Sequence, residues 1–179
     1  MYEQRVADAL DRLRGRYESV STRTKRWPLD DAAYRATRDR AERGTVGGAG
    51  AWVTRETAAG REALVVREEG ADGWSEPAGK QEPGETLEAT AHREVREETG
   101  VEIEIEGVVL ATRAIHTCGD RRPLARLVVV FDASPAGVEV CGEGSADALD
   151  PREGEIAAAR WVGDHPEELA YPTVADYPL

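Results

Sequence analysis

Glu94, Glu97 and Glu98 stand in the run REVREETG, which puts three carboxylates within about one turn of a helix. At roughly 100° per residue, Glu94 and Glu98 share nearly one face, and Glu97 lies one turn from Glu94. Leu87, Ala91 and Val95 form an apolar stripe beside them, so the acids fall on the margin of the face that would be buried. Carboxylates in that position lose water and resist ionising together. Two chemistries fit. A divalent cation relieves the repulsion, and Mg²⁺ prefers oxygen ligands and keeps waters and substrate phosphates in its shell. A solvated acidic face, with Arg93 paired to Glu97 at i,i+4, would tolerate the same charges. The helix alone does not choose between them.

The flanking residues do. The stretch from 76 to 101 holds seven glutamates and reads G79-x5-E85-x7-R93-E94-V95-x-E97-E98-x-G100-V101. At all nine of these positions it resembles the Nudix box, the signature of the Nudix hydrolases. The resemblance extends more loosely over about residues 45 to 165, through the order of strands around the box, and does not cover residues 1 to 43. It implies a Nudix-type α/β/α sandwich and Mg²⁺-dependent cleavage, with Mn²⁺ able to substitute, of a nucleoside diphosphate linked to another moiety. Carried over by position, Glu94 and Glu98 are the expected direct metal ligands, completed by Glu97 and the Gly79 carbonyl. Glu85 and Arg93 are the expected orienting pair of the loop–helix–loop. Glu97, Glu98, Arg93 and Glu155 make up the expected catalytic set. Glu155, in the run REGEI with Glu153, is the candidate general base, and it reads equally well as an exposed loop acid. His116 is a weaker candidate to polarise a water.

The spacing also has a local physical sense. Gly79 stands where a strand must turn tightly, leaving its carbonyl free to face a cation. Glu85 falls near a helix start, where the dipole favours a carboxylate. Gly100 is placed to end the helix as a left-handed cap.

For the substrate, EPAG at 76 to 79 resembles the box entry of ADP-ribose and sugar-nucleotide pyrophosphatases. Those enzymes often carry a proline some sixteen residues past the box, where this chain has Thr117 and Cys118, and its next proline is Pro123. ADP-ribose is the expectation. A nucleoside triphosphate or dinucleoside polyphosphate pyrophosphohydrolase is the alternative, and a nucleotide-sensing module without catalysis is a third. Arg67 and Trp74 are candidates to meet the substrate's phosphate or ribose and its base. Trp52 could also stack on a base, although packing in the core suits both tryptophans as well. Trp161, in ARWVG, reads as core.

The elements that must position these residues follow from periodicity. Val6, Leu10, Leu13 and Tyr17 mark an N-terminal helix, and Asp30 caps a second one running to about Arg43, with Gly44 as its stop. The intervening SVSTRTKRWP is a loop or short strand. Residues 1–43 are thus expected as an N-terminal helical extension and 44–179 as the Nudix domain. GGAGAWVT and EALVVRE predict two strands joined by the polar turn RETAAGR, and residues 85–99 one helix. VEIEIEGVVLATRAI predicts one or two strands, PLARLVVVFDA a buried strand, and IAAARWVG a last strand. SPAGVEVCGEGSADALDPREGE is a long polar connection, and HPEELAYP opens a final helical turn. Strands on both sides of one helix predict a mixed sheet in an α/β layer structure.

Composition narrows the partners. The 179 residues carry 35 acids against 23 bases, a net charge of −12, and the only lysines are Lys25 and Lys80. Such a balance argues against a general nucleic-acid or anionic-membrane binder. It suits a cytoplasm of very high salt, where screening removes self-repulsion. No apolar run approaches the ~20 residues that span a membrane, and the charged N-terminus lacks a signal-peptide core, so a cytoplasmic location is expected. Cys118 and Cys141 lack metal-ligand spacing and read as reduced thiols. The expected partner is a small nucleoside diphosphate derivative, and a homodimer is the default assembly.

Overall fold

The fold was read from a computed structural model that describes residues 2–137 and 149–179. Cys141 and half of the long polar connection, residues 138–148, lie outside the described residues.

Strands whose residues are apolar on both faces must lie inside a sheet. The two at the centre of the sheet are β2 (Gly47–Thr57), buried along most of its length, and β6 (Leu124–Pro135), with Leu127, Val129 and Phe131 on one face and Val130 on the other. They run parallel and adjacent. Around them stand β1 (Val20–Pro28), β3 (Gly60–Glu68), β4 (Ala78–Lys80), β5 (Ile103–Thr117) and β7 (Ile156–Val162). The order is β1-β5-β6-β2-β3-β7, with β4 on β2. β1 is parallel to β5, and the remaining pairs are antiparallel, so the sheet is mixed. β2 changes partners along its length: residues 48–50 pair with β4 and residues 54–57 with β3. That split is what brings the short strand carrying Gly79 against the centre of the sheet.

One face is covered by α1 (Tyr2–Arg16) and α3 (Leu87–Thr99). Val6, Ala9 and Leu13 of α1 join Leu87, Ala91 and Val95 of α3 over Ala49, Ala51, Val129 and Phe131. The opposite face carries a second cluster of Trp52, Val65, Trp74, Val130, Val174 and Tyr177, closed by a 3₁₀ turn at Pro172–Asp176. That turn begins at Pro172, the last residue of HPEELAYP, the run expected to open a final helical turn. α2 (Asp31–Glu42) begins at Asp30, whose side chain accepts a 2.8 Å hydrogen bond from the Ala33 amide.

Two elements differ from the sequence reading. SVSTRTKRWP forms a full nine-residue edge strand, parallel to β5 from Val20 to Pro28. Residues 1–43 therefore share the sheet and the core with the rest of the chain. The turn between β2 and β3 is also shorter than RETAAGR, since pairing continues to Thr57 and Gly60. The polar ends of these strands stay paired through cross-strand salt bridges, Arg55 with Glu62 at 2.8 Å and Arg61 with Glu56 at 3.4 Å.

Candidate active site

Thr86 caps α3, accepting from the Ala89 amide at 3.1 Å, and Gly100 closes it with φ +78° and its N–H on the Arg96 carbonyl. The loop before the helix is tied to it by one arginine. Arg93 donates from Nε to Glu85 Oε1 at 2.7 Å and from Nη2 to Glu85 Oε2 at 3.1 Å, and Nη2 also reaches the Lys80 carbonyl at 3.0 Å. Glu85 Oε2 accepts further from the Glu82 amide and the Thr90 hydroxyl, both at 2.9 Å. The Arg93 guanidinium, helped by these donors, holds the Glu85 carboxyl down at about 2.

The same guanidinium governs the acids. Arg93 Nη1 lies 2.9 Å from Glu94 Oε1 and 3.3 Å from Glu97 Oε2. Glu97 is held from the other side by Arg152 at 3.0 Å, and Arg152 also pairs with Glu155 at 3.2 Å. Glu98 differs. It is 4% exposed, its Oε2 accepts from the Ala78 amide at 3.0 Å, and it has no cationic partner among the described residues. Burial pushes its carboxyl up to about 8, with Glu94, Glu68 and Glu155 adding repulsion. Glu94 is raised as well, first by burial. Glu155 adds a small repulsion at both Glu94 and Glu98. Glu68, at the end of β3, adds repulsion at Glu98 as well and was not legible in the sequence.

Among the described residues no three carboxylates, histidines or cysteines converge closely enough to hold a metal ion. Glu97 is instead paired with two arginines, Arg93 and Arg152. Glu94 and Glu98 nevertheless form a buried acidic pair beside the Gly79 peptide. A side-chain carbon on Gly79 would collide with the Glu94 carboxylate, and its carbonyl oxygen approaches Gly48 of β2. Two buried carboxyls next to backbone, Glu94 paired with Arg93 and Glu98 with no cation among the described residues, make a hard-oxygen donor set that suits a divalent ion such as Mg²⁺.

β4 also borders a cavity of about 640 Å³ on the sheet face opposite α1 and α3. Five cations line it: Arg23, Lys25, Arg40, Lys80 and Arg126. They include both lysines of the chain. Glu76 is the one acid in the lining among the described residues. Trp27 stands there with the Lys25 ammonium 4.2 Å from its ring centre and His116 6.3 Å away. Burial first, then Arg126 and Arg40, lowers the His116 pKa. Arg23, Lys25 and Trp27 alternate along β1, a strand-period signal that the sequence reading passed over as a loop or short strand.

The structure does not bring the expected substrate residues to this cavity. Arg67 lies over Trp74 at 5.2 Å, Arg160 over the same ring at 4.0 Å, and Trp74 is 7% exposed in the second cluster. Trp52 is wholly buried, donating from Nε1 to the Pro178 carbonyl at 2.6 Å. Both tryptophans pack, because apolar rings between a sheet and a covering turn gain more from burial than from a rim position. Trp161 packs partly buried against the first cluster, as its sequence context suggested.

Residues 44–176 match the model of the NUDIX domain family. A NUDIX hydrolase from Nitrosomonas europaea superposes with a TM-score of 0.51 at 20% identity, over 74% of this chain and 67% of its own. A MutT/nudix family protein from Enterococcus faecalis gives 0.45 at 19%, over 64% of this chain and 42% of its own. An ADP-ribose pyrophosphatase from Streptococcus suis gives 0.43 at 20%, over 65% and 73%. The first of these shares the fold, and this chain spans less than half the length of the Enterococcus protein.

Proposed function

The chain belongs to the Nudix family of pyrophosphohydrolases, and from that premise we propose that it hydrolyses the diphosphate of a nucleoside diphosphate linked to another moiety, ADP-ribose foremost. One observation carries the reading. In a chain of net charge −12, five cations gather in a cavity that abuts β4, the strand against which Glu94 and Glu98 rest. A polyanionic substrate can lie across β4 with its nucleotide among the cations and its diphosphate toward the acids.

Glu94, Glu98 and the Gly79 carbonyl would hold the metal, Mg²⁺ by preference, with Glu97 joining if it leaves Arg152. A bound dication would neutralise the diphosphate and lower the pKa of the attacking water. Glu155 is the proposed base: Arg152 holds its carboxylate, and it lies near enough to raise Glu94 and Glu98. Arg93 is a positioning residue, fixing Glu85 and Glu94 together. Arg67 and Trp74 stay in the proposal only as a stacked pair outside the lining of the cavity. Water adds to one phosphorus and the bridging P–O bond breaks, giving AMP and ribose 5-phosphate from ADP-ribose. A cytoplasmic location, adaptation to high salt and a homodimer belong to the same proposal, motivated by charge and composition. No helix of the described residues is long and apolar enough to cross a membrane.

The test is a panel of diphosphate and triphosphate nucleotides with Mg²⁺ or Mn²⁺, at low and multimolar salt, with products identified. AMP plus ribose 5-phosphate is expected. Pyrophosphate released from triphosphates, with diphosphates untouched, would favour the house-cleaning alternative. Binding without any turnover would favour a sensing module.

A further inference from the structure

Glu76 is the anomaly of the cavity. Phosphates drawn to five cations would be repelled by a carboxylate among them, yet Glu76 lines the wall at 8% exposure. A countercharge role would explain it if its oxygens were bonded to the arginines. They are not: Arg23 donates instead to the Thr112 hydroxyl at 2.9 Å and to the Thr173 hydroxyl at 3.3 Å. Glu76 Oε2 is buried with no hydrogen-bond partner. A buried acceptor left unmatched is costly, and one carried by a residue that lines a ligand cavity is matched when a ligand brings an N–H to it. Trp27, Tyr171 and Tyr177 supply flat surface in the same cavity.

We propose that this cavity seats the nucleobase and that Glu76 reads an exocyclic amino group on it, so that adenine and cytosine nucleotides are taken over hypoxanthine and uracil nucleotides. The proposal rests on the pyrophosphohydrolase reading only for the presence of a nucleotide, and it assigns the base end of that same substrate. An amino group donates to Oε2. The oxo group that replaces it in inosine or uridine sets an acceptor against an acceptor, which forfeits the hydrogen bond and leaves both oxygens buried and unpaired. The nucleotide's phosphate then lies toward Lys80, on β4. Glu76→Gln keeps the shape but offers a donor as well as an acceptor, so it accommodates amino and oxo bases alike.

The experiment measures binding, by calorimetry, of AMP against IMP and of CMP against UMP to the full chain at pH 8.5. kcat/KM for ADP-ribose against its inosine analogue is measured in parallel. Wild type is expected to prefer the amino member of each pair by roughly tenfold to hundredfold, and Glu76→Gln to bring the ratio to about one while CD spectra stay unchanged. Equal binding of amino and oxo nucleotides by wild type, a ratio unmoved by Glu76→Gln, or no nucleotide binding at all overturns the proposal. Because the wild-type ratio needs no variant, misfolding of Glu76→Gln leaves the test intact. Amino preference in binding with no hydrolysis of any diphosphate would sink the enzymatic reading and leave the base assignment standing.

Discussion

Replacing Glu76 by Gln should stabilise the protein at alkaline pH and leave it nearly unchanged at pH 4. Burial, opposed by its own backbone amide and by Arg23, pushes the Glu76 carboxyl from 4.5 up to about 7. The folded protein therefore keeps a proton that the unfolded chain has released, and stability falls as pH rises from about 4.5 to 7, then levels off. A displacement of that size corresponds to about 3 kcal/mol at most. Gln cannot ionise, so the variant escapes the loss. For a chain of 179 residues the gain at pH 8 is about 6–12 °C in Tm. Glu94 and Glu98, also raised by burial, titrate in both proteins and cancel in the difference. The assay is denaturant unfolding of wild type and Glu76→Gln at several pH values from 4 to 8.5, at one fixed salt concentration. Parallel stability curves, offset by any constant, would refute the reasoning, because a constant offset reports packing and only the pH-dependent part reports the buried charge.

Further outcomes follow from the same geometry. Glu98→Gln should lower kcat by on the order of 10²-fold or more while the fold survives, and wild-type-like kinetics would end its assignment as a metal ligand. Glu155→Gln should reduce kcat about 10²-fold with KM unchanged if it is the base, measured by initial rates across pH. Arg93→Met should lower Tm by about 4–8 °C, since a cost of about 2 kcal/mol attends leaving Glu85 and Glu94 without their shared guanidinium. The part of that loss due to Glu85, held down at about 2, is present above pH 4.5 and fades as pH falls toward 2, which acid titration of both proteins would reveal. Lys25→Gln combined with Lys80→Gln should raise KM about tenfold with little change in kcat, and less so in high salt.

The parts of this molecule that a sequence displays are those set by local chemistry. The Asp30 cap, the Gly100 stop and the Arg93–Glu85 clamp follow from residue type at fixed spacing, and each forms within about eight residues along the chain. β1 was not legible as a full strand, because a parallel edge strand gains its stability from a partner some ninety residues away, and its own run, VSTRTKRWP, is polar. With β1 unread, the Arg23–Lys25–Trp27 face went unread too, and the cavity with it. Trp52 and Trp74 were ambiguous for a different reason: a tryptophan beside a nucleotide and one in a core look the same until a covering element is placed, here the Pro172–Asp176 turn. Glu97 belonged to the acidic pattern on spacing alone, but its pose is decided by Arg152, fifty-five residues on.

The two sides of β4 make one electrostatic argument. Behind the strand, Glu94 and Glu98 are pushed toward protonation because burial and repulsion find too little positive charge. Beyond it, Arg126 is pulled down to about 10, first by burial and then by Arg40, in a lining that holds five cations and one acid among the described residues. Neither imbalance is satisfied by moving a side chain, since the strand and its close contacts at Gly48 and Gly79 separate them. Both are relieved together by a ligand that is anionic toward the cavity and carries a dication toward α3. A metal-bound diphosphate has that polarity. Substrate and metal should therefore bind with positive coupling. Calorimetric titration of a slowly hydrolysed diphosphate analogue into protein with and without Mg²⁺ should give at least a tenfold difference in Kd, and independent binding of the two would mean that the opposed charges of β4 are not speaking to one ligand.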